Sequence, residues 1–437
     1  MNAGNIMNSG TVAEASAVMQ ESALRQVFSA SDITAVPGSD AFWKQIKKQG
    51  TPLLTSRADN QCGITFLWRD PQGAENCSPY KAVFIDVYSH TPHPTRQLTS
   101  LVRLSGTDVW YWQTQLPADW LGSYVLLPAK NTQLPPAKSA QQSSSDFSAA
   151  VRGWWINLLQ QSGQADVLNL RAPHVDGNGR ELSALILPGA AVHAQLRDEK
   201  CLPAQGKLHH WRWHNALLGA ERDVWCYRCG TGRDLPLVIF LDGQRWARSK
   251  GFFTQLDALT HNGEFPPAVY LFIDSVSSDV RSRELTCNSA FWLMLQQELL
   301  ADAQRLEAFS TAAQKTIVAG QSFGGLAALY AALNWPQRFG NVLSQSGSFW
   351  WPDVNEEAGN GLLTRHVRSS APVLSELNVE LQIGCYEDSM LGVNHAMHDA
   401  LNAAGAHVSF QQFRGGHDWL CWHSELLSGL KRLFSVI

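Results

Sequence analysis

The chain has 437 residues, of which 45% are hydrophobic and 16% carry charge, and its formal net charge is −4. This composition is too apolar for a disordered chain, and the length is sufficient for two or three domains that each bury a core. A chain without a basic excess offers no footprint for a nucleic-acid backbone, so we predict that nucleic acid is not a partner.

Residues 1–30 contain no cationic region followed by an apolar run, and no stretch of the chain reaches the roughly 18 uninterrupted apolar residues that a membrane-spanning helix needs. We therefore expect no membrane insertion and a cytoplasmic location. In that reducing compartment the eight cysteines are expected to be free thiols. Cys226 and Cys229 are closely spaced but lack the second pair that a zinc site needs, so the sequence predicts neither a metal site nor a cofactor.

The first part of the chain is patterned as short strands. Residues 1–37 are predicted to be a flexible N-terminal segment, and residues 38–205 are predicted to form the first domain. Strands separated by turn residues, without a long helical period, indicate an all-β sandwich. The stretch Pro135–Ala149, rich in Pro, Ser and Gln, is predicted to be a loop. The predicted strands are Ile64–Trp68, Ala82–Tyr88, Val109–Gln113 and Tyr124–Leu127.

The pattern changes in residues 206–437, which are predicted to form the second domain. A hairpin is predicted across His209–Cys229, with its turn near Gly219. Beyond it, short apolar runs alternate with helical segments such as Phe291–Phe309 and Gly324–Leu333, which is typical of a mainly parallel sheet with helices on both faces. In such a sheet, catalytic residues lie at the carboxyl ends of the strands. The runs are Leu237–Leu241, Ala268–Ile273, Lys315–Ala319, Val379–Gly384 and Val408–Phe413.

A serine nucleophile is predicted at Ser322. It is the centre of Gly320-Gln-Ser-Phe-Gly324, which matches the G-x-S-x-G pattern, with an apolar strand before it and a helical segment after it. The serine should lie on a strained strand-to-helix turn, where we expect the glycines two residues before and after it to avoid clashes. The helix N-terminus favours the negative charge that develops during acyl transfer. This context indicates a serine esterase of the α/β-hydrolase type.

A serine hydroxyl needs a base to take its proton, and in this fold class the chain order is serine, acid, histidine. His417 follows the last predicted strand and is the predicted general base, with His395 and His423 as alternatives. The orienting acid should follow the penultimate strand, where Glu387 and Asp388 are adjacent, and we prefer Glu387. A dyad of serine and histidine without an acid is the remaining alternative.

Two backbone N–H groups are expected to form an oxyanion hole. One belongs to Phe323, the residue after the nucleophile, and the other comes from the loop after an earlier strand, at Gly243 or Gln244. Losing one such donor typically costs roughly 100- to 1000-fold in rate. Arg281 follows the strand that ends at Ile273, so its guanidinium is predicted to reach an anionic substrate.

Further segments along the chain carry specific motifs. They are Phe66–Gly73, Leu116–Tyr124, Leu241–Ala247, Val318–Gly325, Val342–Gly347 and Gly415–Asp418. Together these segments resemble the enterochelin esterases, a family that hydrolyses the siderophore enterobactin. The resemblance covers nearly the whole chain after about Trp43.

The resemblance implies an N-terminal immunoglobulin-like domain, a C-terminal α/β-hydrolase domain and a small-molecule substrate. That substrate is the trilactone of three 2,3-dihydroxybenzoyl-serine units, ferric or iron-free, and its products are the linear trimer, dimer and monomer. The ferric complex carries three negative charges, which makes Arg281 and Arg245 candidate binding residues. The candidate contacts to the catechol rings are Trp246, Trp350, Trp351, Trp419 and Trp422.

Two other functions fit the sequence less well. A feruloyl-type esterase acting on another aromatic acyl ester would normally be exported, and no signal sequence is expected in residues 1–30. A non-catalytic siderophore-binding protein would not need both Ser322 and His417. The residues predict a cytoplasmic serine esterase, and the resemblance implies that its hydrolysis of the siderophore allows iron release.

Overall fold

The computed structural model describes residues 21–56, 59–176, 179–190, 204–249, 251–353, 359–370 and 374–437. The chain divides into two compact units, Met1–Ala190 and Ala191–Ile437. This division falls earlier than the predicted boundary between residues 205 and 206. Within the described ranges, no helix combines the length and apolar character needed to cross a membrane.

The first unit contains an eight-stranded antiparallel sheet in the order β1-β2-β5-β4-β3-β6-β8-β7. Its strands are β1 (Leu53–Ser56), β2 (Gln61–Arg69), β3 (Tyr80–Val87), β4 (Ser100–Arg103), β5 (Val109–Pro117), β6 (Leu121–Lys130), β7 (His174–Val175) and β8 (Glu181–Ile186). The four predicted strands overlap β2, β3, β5 and β6. β4 changes partner along its length, because Leu101 pairs with Val83 of β3 whereas Val102 pairs with Tyr111 of β5.

Aromatic contacts bring the two halves of this sheet face to face. The ring of Phe66 on β2 lies 4.9 Å from that of Tyr124 on β6, and Trp68 on β2 lies 5.3 Å from Tyr80 on β3. Three strands separate β2 from β6 in the order, and neighbouring strands are about 4.8 Å apart. Direct ring contact therefore requires the two halves to fold over one another.

Helices in the first unit differ from the all-β expectation. Residues 21–30 are helical (α1), and α2 spans Asp40–Gln49. The apolar residues Leu24 and Phe28 are buried in one cluster with Phe42 and Ile46. Residues 21–37 were predicted to belong to a flexible segment, but the i, i+4 spacing of these apolar side chains gives α1 a face that packs. Residues 1–20 of that segment lie outside the described residues.

A third helix, α3, spans Ser144–Ser162. Its first residues fall in the stretch predicted to be a loop, where Ser143 caps the helix by accepting a hydrogen bond from the Asp146 N–H. The buried residues Val151, Trp155 and Leu158 follow helical spacing along one face. The polar composition of the preceding residues concealed this pattern, so the loop prediction is corrected from Ser144 onwards.

The second unit contains an eight-stranded sheet in the order β16-β15-β14-β13-β11-β12-β10-β9. Its strands are β9 (Lys207–Asn215), β10 (Ala220–Cys229), β11 (Leu237–Phe240), β12 (Ala268–Ile273), β13 (Thr316–Gln321), β14 (Asn341–Gln345), β15 (Asn378–Gly384) and β16 (His407–Phe413). The six strands from β11 to β16 pair in parallel. β9 and β10 form the predicted hairpin, with Gly219 at a φ of 62° in the turn.

Helices cover both faces of this sheet. They are α4 (Gly243–Ala247), α5 (Phe252–His261), α6 (Ser278–Glu284), α7 (Ser289–Met294), α8 (Leu300–Leu306), α9 (Phe323–Asn334), α10 (Leu362–Ser370), α11 (Asp388–Ala403) and α12 (Trp419–Phe434). Leu237 and Ile239 of β11 pack in the cluster that includes α7, α9 and α11. Val238 and Phe240 point to the opposite cluster, which includes α5 and α12. This alternation buries the strand on both faces.

The carboxyl ends of the parallel strands form one edge of the sheet. The polar residues that follow these strands are Asp242 after β11, Ser275 after β12, Ser322 after β13, Ser346 after β14, Glu387 after β15 and His417 after β16. The fold thereby gathers along one edge residues that are far apart in the sequence.

The described cysteines are Cys62, Cys77, Cys226, Cys229, Cys287, Cys385 and Cys421, and all of these are free thiols. The expectation of free thiols is therefore confirmed for the part of the chain that the structure describes. Cys201 lies outside it. Burial raises the pKa of Cys226 and of Cys229 to about 12, which keeps both protonated at neutral pH.

Candidate active site

Ser322 lies on the turn between β13 and α9. Its backbone has φ 58° and ψ −116°, a strained conformation that residues other than glycine seldom adopt. A Cβ atom at Gly320 would collide with the backbone of Gly324. At Gly324 itself a Cβ would make only ordinary contacts, at 3.6 Å, whereas at Gly325 it would collide with the side chain of Ser344. The expected clash two residues after the serine is therefore corrected, because the crowded position is the third.

Main-chain hydrogen bonds tie this turn to the next strand. The Ser322 N–H donates to the carbonyl of Gln345 at the end of β14, at 2.9 Å, and the Ser348 N–H donates to the Ser322 carbonyl at 3.1 Å. The two hydroxyl oxygens of Ser322 and Ser348 are 3.2 Å apart. Ser322 is half-buried and Ser348 is buried. The position of the candidate nucleophile thus depends on β14 as well as on its own turn.

His417 and Glu387 are in direct contact. The Nδ1 atom of His417 lies 2.6 Å from Oε2 of Glu387. The histidine side chain is 38% exposed, whereas the carboxylate is 1% exposed. A carboxylate accepts hydrogen bonds, so Nδ1 carries the proton and Nε2 keeps the lone pair that a general base needs. Backbone bonds join the two loops, since Tyr386 N–H donates to the Gly415 carbonyl at 3.1 Å.

The two adjacent carboxylates that the sequence left open have different surroundings. Glu387 is buried, whereas Asp388 is exposed at the first position of α11. Oε1 of Glu387 accepts hydrogen bonds from the Ser346 hydroxyl at 2.6 Å and from the Gly384 N–H at 2.9 Å. Among the described residues, the Asp388 side chain has no hydrogen-bond partner. The geometry therefore favours Glu387 as the group behind the histidine.

The residues expected to donate to an oxyanion open two helices. Phe323 is the first residue of α9 and Gly243 is the first residue of α4, so their N–H groups are among those that a helix leaves unpaired at its N-terminus. A Cβ at Gly243 would collide with the backbone of β12. The side-chain amide of Gln244 exchanges two hydrogen bonds with Ser275, at 2.7 Å and 3.1 Å. These contacts fix the loop that carries Gly243 and Gln244 against the end of β12.

Arg281 is paired with a carboxylate of the protein. Its Nε lies 2.8 Å and its Nη2 lies 2.7 Å from the two carboxylate oxygens of Asp242. Nη2 also donates to the carbonyl of Gln321 at 3.1 Å. Asp242 precedes the loop residue Gly243, and Gln321 precedes Ser322. The guanidinium therefore bridges the two segments that carry the candidate oxyanion donors.

Electrostatics favour the charged form of this pair. Burial alone would raise the pKa of Asp242, but attraction and hydrogen bonds from Arg281, with a further contribution from Arg245, lower it below its usual value. Burial would lower the pKa of Arg281, and the Asp242 carboxylate raises it. The charge of Arg281 is thus offset within the protein, which differs from the sequence-based expectation of a cation directed towards a substrate.

The predicted aromatic contacts fall into two groups. Trp246 is 1% exposed and packs against Phe240 and Phe252 in the core, so its assignment to substrate binding is corrected. Trp422 is also buried. Trp350 is half-buried, with its ring 5.7 Å from that of Phe323. Trp419 and Trp351 are half-buried as well, and the guanidinium carbon of Arg245 lies 4.5 Å from the Trp419 ring centre.

Sequence reasoning assigned no role to Ser346, Ser348 or Asp242. All three are polar, buried and placed at strand ends beside the candidate residues. Ser346 and Ser348 lie in or beside the segment Val342–Gly347, which contributed only to the family resemblance. Their one signal in the sequence is their position after an apolar run, which becomes informative once β14 is known to lie between β13 and β15.

The parts needed for acyl transfer are a serine on a strained turn, a histidine backed by a buried carboxylate and a helix N-terminus beside the serine. With this site on a mainly parallel sheet, the chain is a carboxylic-ester hydrolase. Comparison with family models agrees, since the model described as "Putative esterase" matches residues 217–433. The model described as "Enterochelin esterase, N-terminal" matches residues 63–196.

Known proteins resemble the chain over most of its length. An iron(III) enterobactin esterase of Dickeya dadantii is 40% identical over 413 residues, which covers 91% of this chain and 93% of the relative. The crystal structure of ferric enterobactin esterase from Salmonella typhimurium is 38% identical, with a TM-score of 0.81, over 91% of this chain and 99% of the other. The enterobactin esterase of Shigella flexneri, crystallised in the presence of enterobactin, is 36% identical, with a TM-score of 0.76, over 92% and 99%. The chain belongs to the iron(III) enterobactin esterase family.

The contrast between Glu387 and Asp388 generates a prediction. Glu387→Ala removes the acceptor behind His417 and should lower kcat for a neutral aryl ester by roughly 100- to 10,000-fold. Asp388→Ala is the matched control and should leave kcat within about twofold of the wild type. Steady-state kinetics on the two purified variants, with thermal unfolding to check folding, measure both effects. A larger loss in the Asp388 variant would contradict the assignment.

The Asp242–Arg281 pair generates a second prediction. Arg281→Met leaves a buried carboxylate without its partner, and breaking a buried ion pair from one side typically costs roughly 3–5 kcal/mol of stability. We expect a lower unfolding temperature and a lower kcat even for a neutral ester, because the segment that carries Gly243 and Gln244 loses the link to Gln321 that Arg281 provides. Adding Asp242→Asn should restore part of the stability, since it removes the unpaired charge. An unchanged kcat for neutral esters, with a raised KM for anionic esters alone, would instead identify Arg281 as a substrate anchor.

Proposed function

We propose that this protein is a serine esterase that hydrolyses the trilactone of enterobactin to the linear trimer, dimer and monomer of 2,3-dihydroxybenzoyl-serine, and so allows iron release from the siderophore. The observation that carries the catalytic part of the proposal is the 2.6 Å contact between His417 and Glu387, on the same sheet edge as the strained Ser322. The identity of the substrate is supported by the relatives, of which one is an iron(III) enterobactin esterase that is 40% identical.

In the proposed reaction, the Ser322 hydroxyl attacks a lactone carbonyl while Nε2 of His417 takes its proton. Glu387 holds the imidazole in the tautomer with Nδ1 protonated and stabilises the imidazolium that forms. The oxyanion accepts hydrogen bonds from the N–H of Phe323 and from the N–H of Gly243 or Gln244. These donors face a charge that exists only after attack, so they lower the barrier rather than strengthening substrate binding.

The second half of the reaction releases the acyl group. The protonated His417 donates its proton to the departing seryl oxygen of the substrate, and the carbon–oxygen bond of the lactone breaks. A water molecule then gives a proton to His417 and attacks the acyl-serine, and the regenerated imidazolium returns a proton to Ser322. The first cleavage opens the ring to a linear trimer, and the same cycle on the remaining esters yields the dimer and monomer.

The finer features of the fold belong to the same proposal. The second unit is an α/β-hydrolase domain, supported by six parallel strands with the serine turn after β13. The first unit is an immunoglobulin-like sandwich with added helices, supported by the face-to-face packing of its sheet halves. The cytoplasmic location stays a prediction of the sequence analysis.

Substrate contacts are proposed at the half-buried tryptophans. Trp350 lies beside Phe323, and Trp419 lies beneath the guanidinium of Arg245, so flat catechol rings would find both an aromatic surface and positive charge near the sheet edge. The ferric complex carries three negative charges, and Arg245, beside Trp419, is the cation proposed to attract it. Arg281 contributes to binding only in so far as Asp242 leaves its charge uncompensated.

Chromatographic product analysis tests the proposal. The purified protein is incubated with ferric and with iron-free enterobactin, and the expected products are the linear trimer, then the dimer and monomer. Ser322→Ala should lose more than about 1000-fold of this activity while it still binds the ligand, because the nucleophile cannot be replaced. More than about a tenth of wild-type activity in that variant would remove Ser322 as the nucleophile.

Two other outcomes separate the rival functions. Faster cleavage of a feruloyl ester than of the trilactone would assign the protein to another aromatic ester. Tight binding of the siderophore without turnover in the wild type would indicate a binding protein that has kept the fold.

A further inference from the structure

The candidate acid and base, Glu387 and His417, form a closed ring of contacts with two further side chains, Ser346 and Trp422. The indole Nε1–H of Trp422 donates to the hydroxyl oxygen of Ser346 at 2.9 Å. That hydroxyl donates to Oε1 of Glu387 at 2.6 Å, and Oε2 of Glu387 accepts from Nδ1 of His417 at 2.6 Å. The ring closes because the imidazole of His417 meets the ring of Trp422 at 4.7 Å and 80°.

We propose that Ser346 and Trp422 are positioning residues that hold Glu387 and His417 in the orientation needed for proton transfer. This inference rests on the proposed function, since it assigns Glu387 and His417 the roles of acid and base. Ser346 and Trp422 act through these two groups.

The hydrogen bonds to Glu387 fix the plane of its carboxylate. Oε1 receives two donors, the Ser346 hydroxyl and the Gly384 N–H, which leaves Oε2 directed at His417. The Ser346 hydroxyl has a single proton, and the indole N–H of Trp422 occupies one of its lone pairs, so the hydroxyl has to donate towards Glu387. The side chains of Glu387, Ser346 and Trp422 are all buried. In the protein interior, hydrogen bonds to a charged group are strong and their loss is costly.

Trp422 is itself held at two points by the end of β14. Its indole N–H binds Ser346, and its backbone carbonyl accepts a hydrogen bond from the side chain of Gln345 at 3.0 Å. Trp422 lies in the first turn of α12, which begins two residues after His417. Fixing α12 against β14 therefore fixes the loop that carries the histidine.

The backbone of Ser346 places its hydroxyl at this junction. Its φ of 49° is in the left-handed region, and its N–H donates to the carbonyl of Gln382 on β15 at 2.7 Å. The preceding carbonyl, of Gln345, accepts from the N–H of Ser322. Ser346 thus lies between the strand end that carries the nucleophile and the one that leads to the acid.

The test compares three variants on a neutral 4-nitrophenyl ester. Ser346→Ala removes the hydroxyl, and we expect kcat to fall by roughly 10- to 150-fold with KM nearly unchanged, which is the rate equivalent of a lost hydrogen bond to a charged group. Ser346→Gly also removes the hydroxyl but accepts the positive φ without strain, so it should lose kcat by a similar factor with a smaller fall in unfolding temperature than Ser346→Ala. Trp422→Phe keeps an aromatic ring without the N–H and should lose kcat by several-fold.

A double-mutant cycle separates positioning from general damage. If Ser346 acts through Glu387, the effect of Ser346→Ala should shrink to less than about twofold in a Glu387→Ala background. An equal loss in both backgrounds, or wild-type kcat in Ser346→Gly, would overturn the inference. Full activity of Glu387→Ala alone would instead overturn the proposed triad, so the two failures are distinguishable.

Discussion

The buried carboxylate of Glu387 is the interaction on which the candidate site depends. Its hydrogen bonds come from three strand ends, namely Ser346 after β14, Gly384 at the end of β15 and His417 after β16. A buried anion is costly unless donors surround it, and here the donors exist only while the three strands keep their parallel register. The Gln345–Gln382 and Gly384–Phe413 pairings set that register, and the register determines where the side chains of the site lie.

A second buried carboxylate organises the other side of Ser322. Asp242, which follows β11, accepts hydrogen bonds from Arg281, and Arg281 also donates to the carbonyl of Gln321 on β13. Between the two carboxylates runs a line of buried amides, in which Gln321 donates to Gln345 at 2.8 Å and Gln345 donates to Gln382 at 2.7 Å. These side chains link β13, β14 and β15 shortly before the residues Ser322, Ser346 and Glu387 that follow those strands. The strained serine turn is therefore supported by polar contacts on both sides.

The structure has the strand-to-helix turn that local patterns predicted around Ser322, because the strand, turn and helix are contiguous in the sequence. Chain order selected His417, and the fold places it at the same edge of the sheet; the catalytic roles of both residues stay predictions. For the acid, the sequence supported only a preference for Glu387 over Asp388, since the choice depends on which side chain the start of α11 directs into the interior. The ion pair of Arg281 with Asp242 was not predicted for a similar reason. The sequence shows that Arg281 is a cation, but its partner Asp242 lies 39 residues away in the chain. Only the fold brings the two side chains together. The helix α3 was missed because polar residues surround its apolar face.

Covalent labelling tests the central claim most directly. A fluorophosphonate forms a phosphorus–oxygen bond with an activated serine and releases fluoride, so the modified residue can be identified by mass spectrometry of the digested protein. The account predicts a single adduct on Ser322 in the wild type, formed much more slowly in His417→Ala and in Glu387→Ala. An adduct on Ser348 or Ser346 instead, or labelling at the wild-type rate without His417, would contradict it.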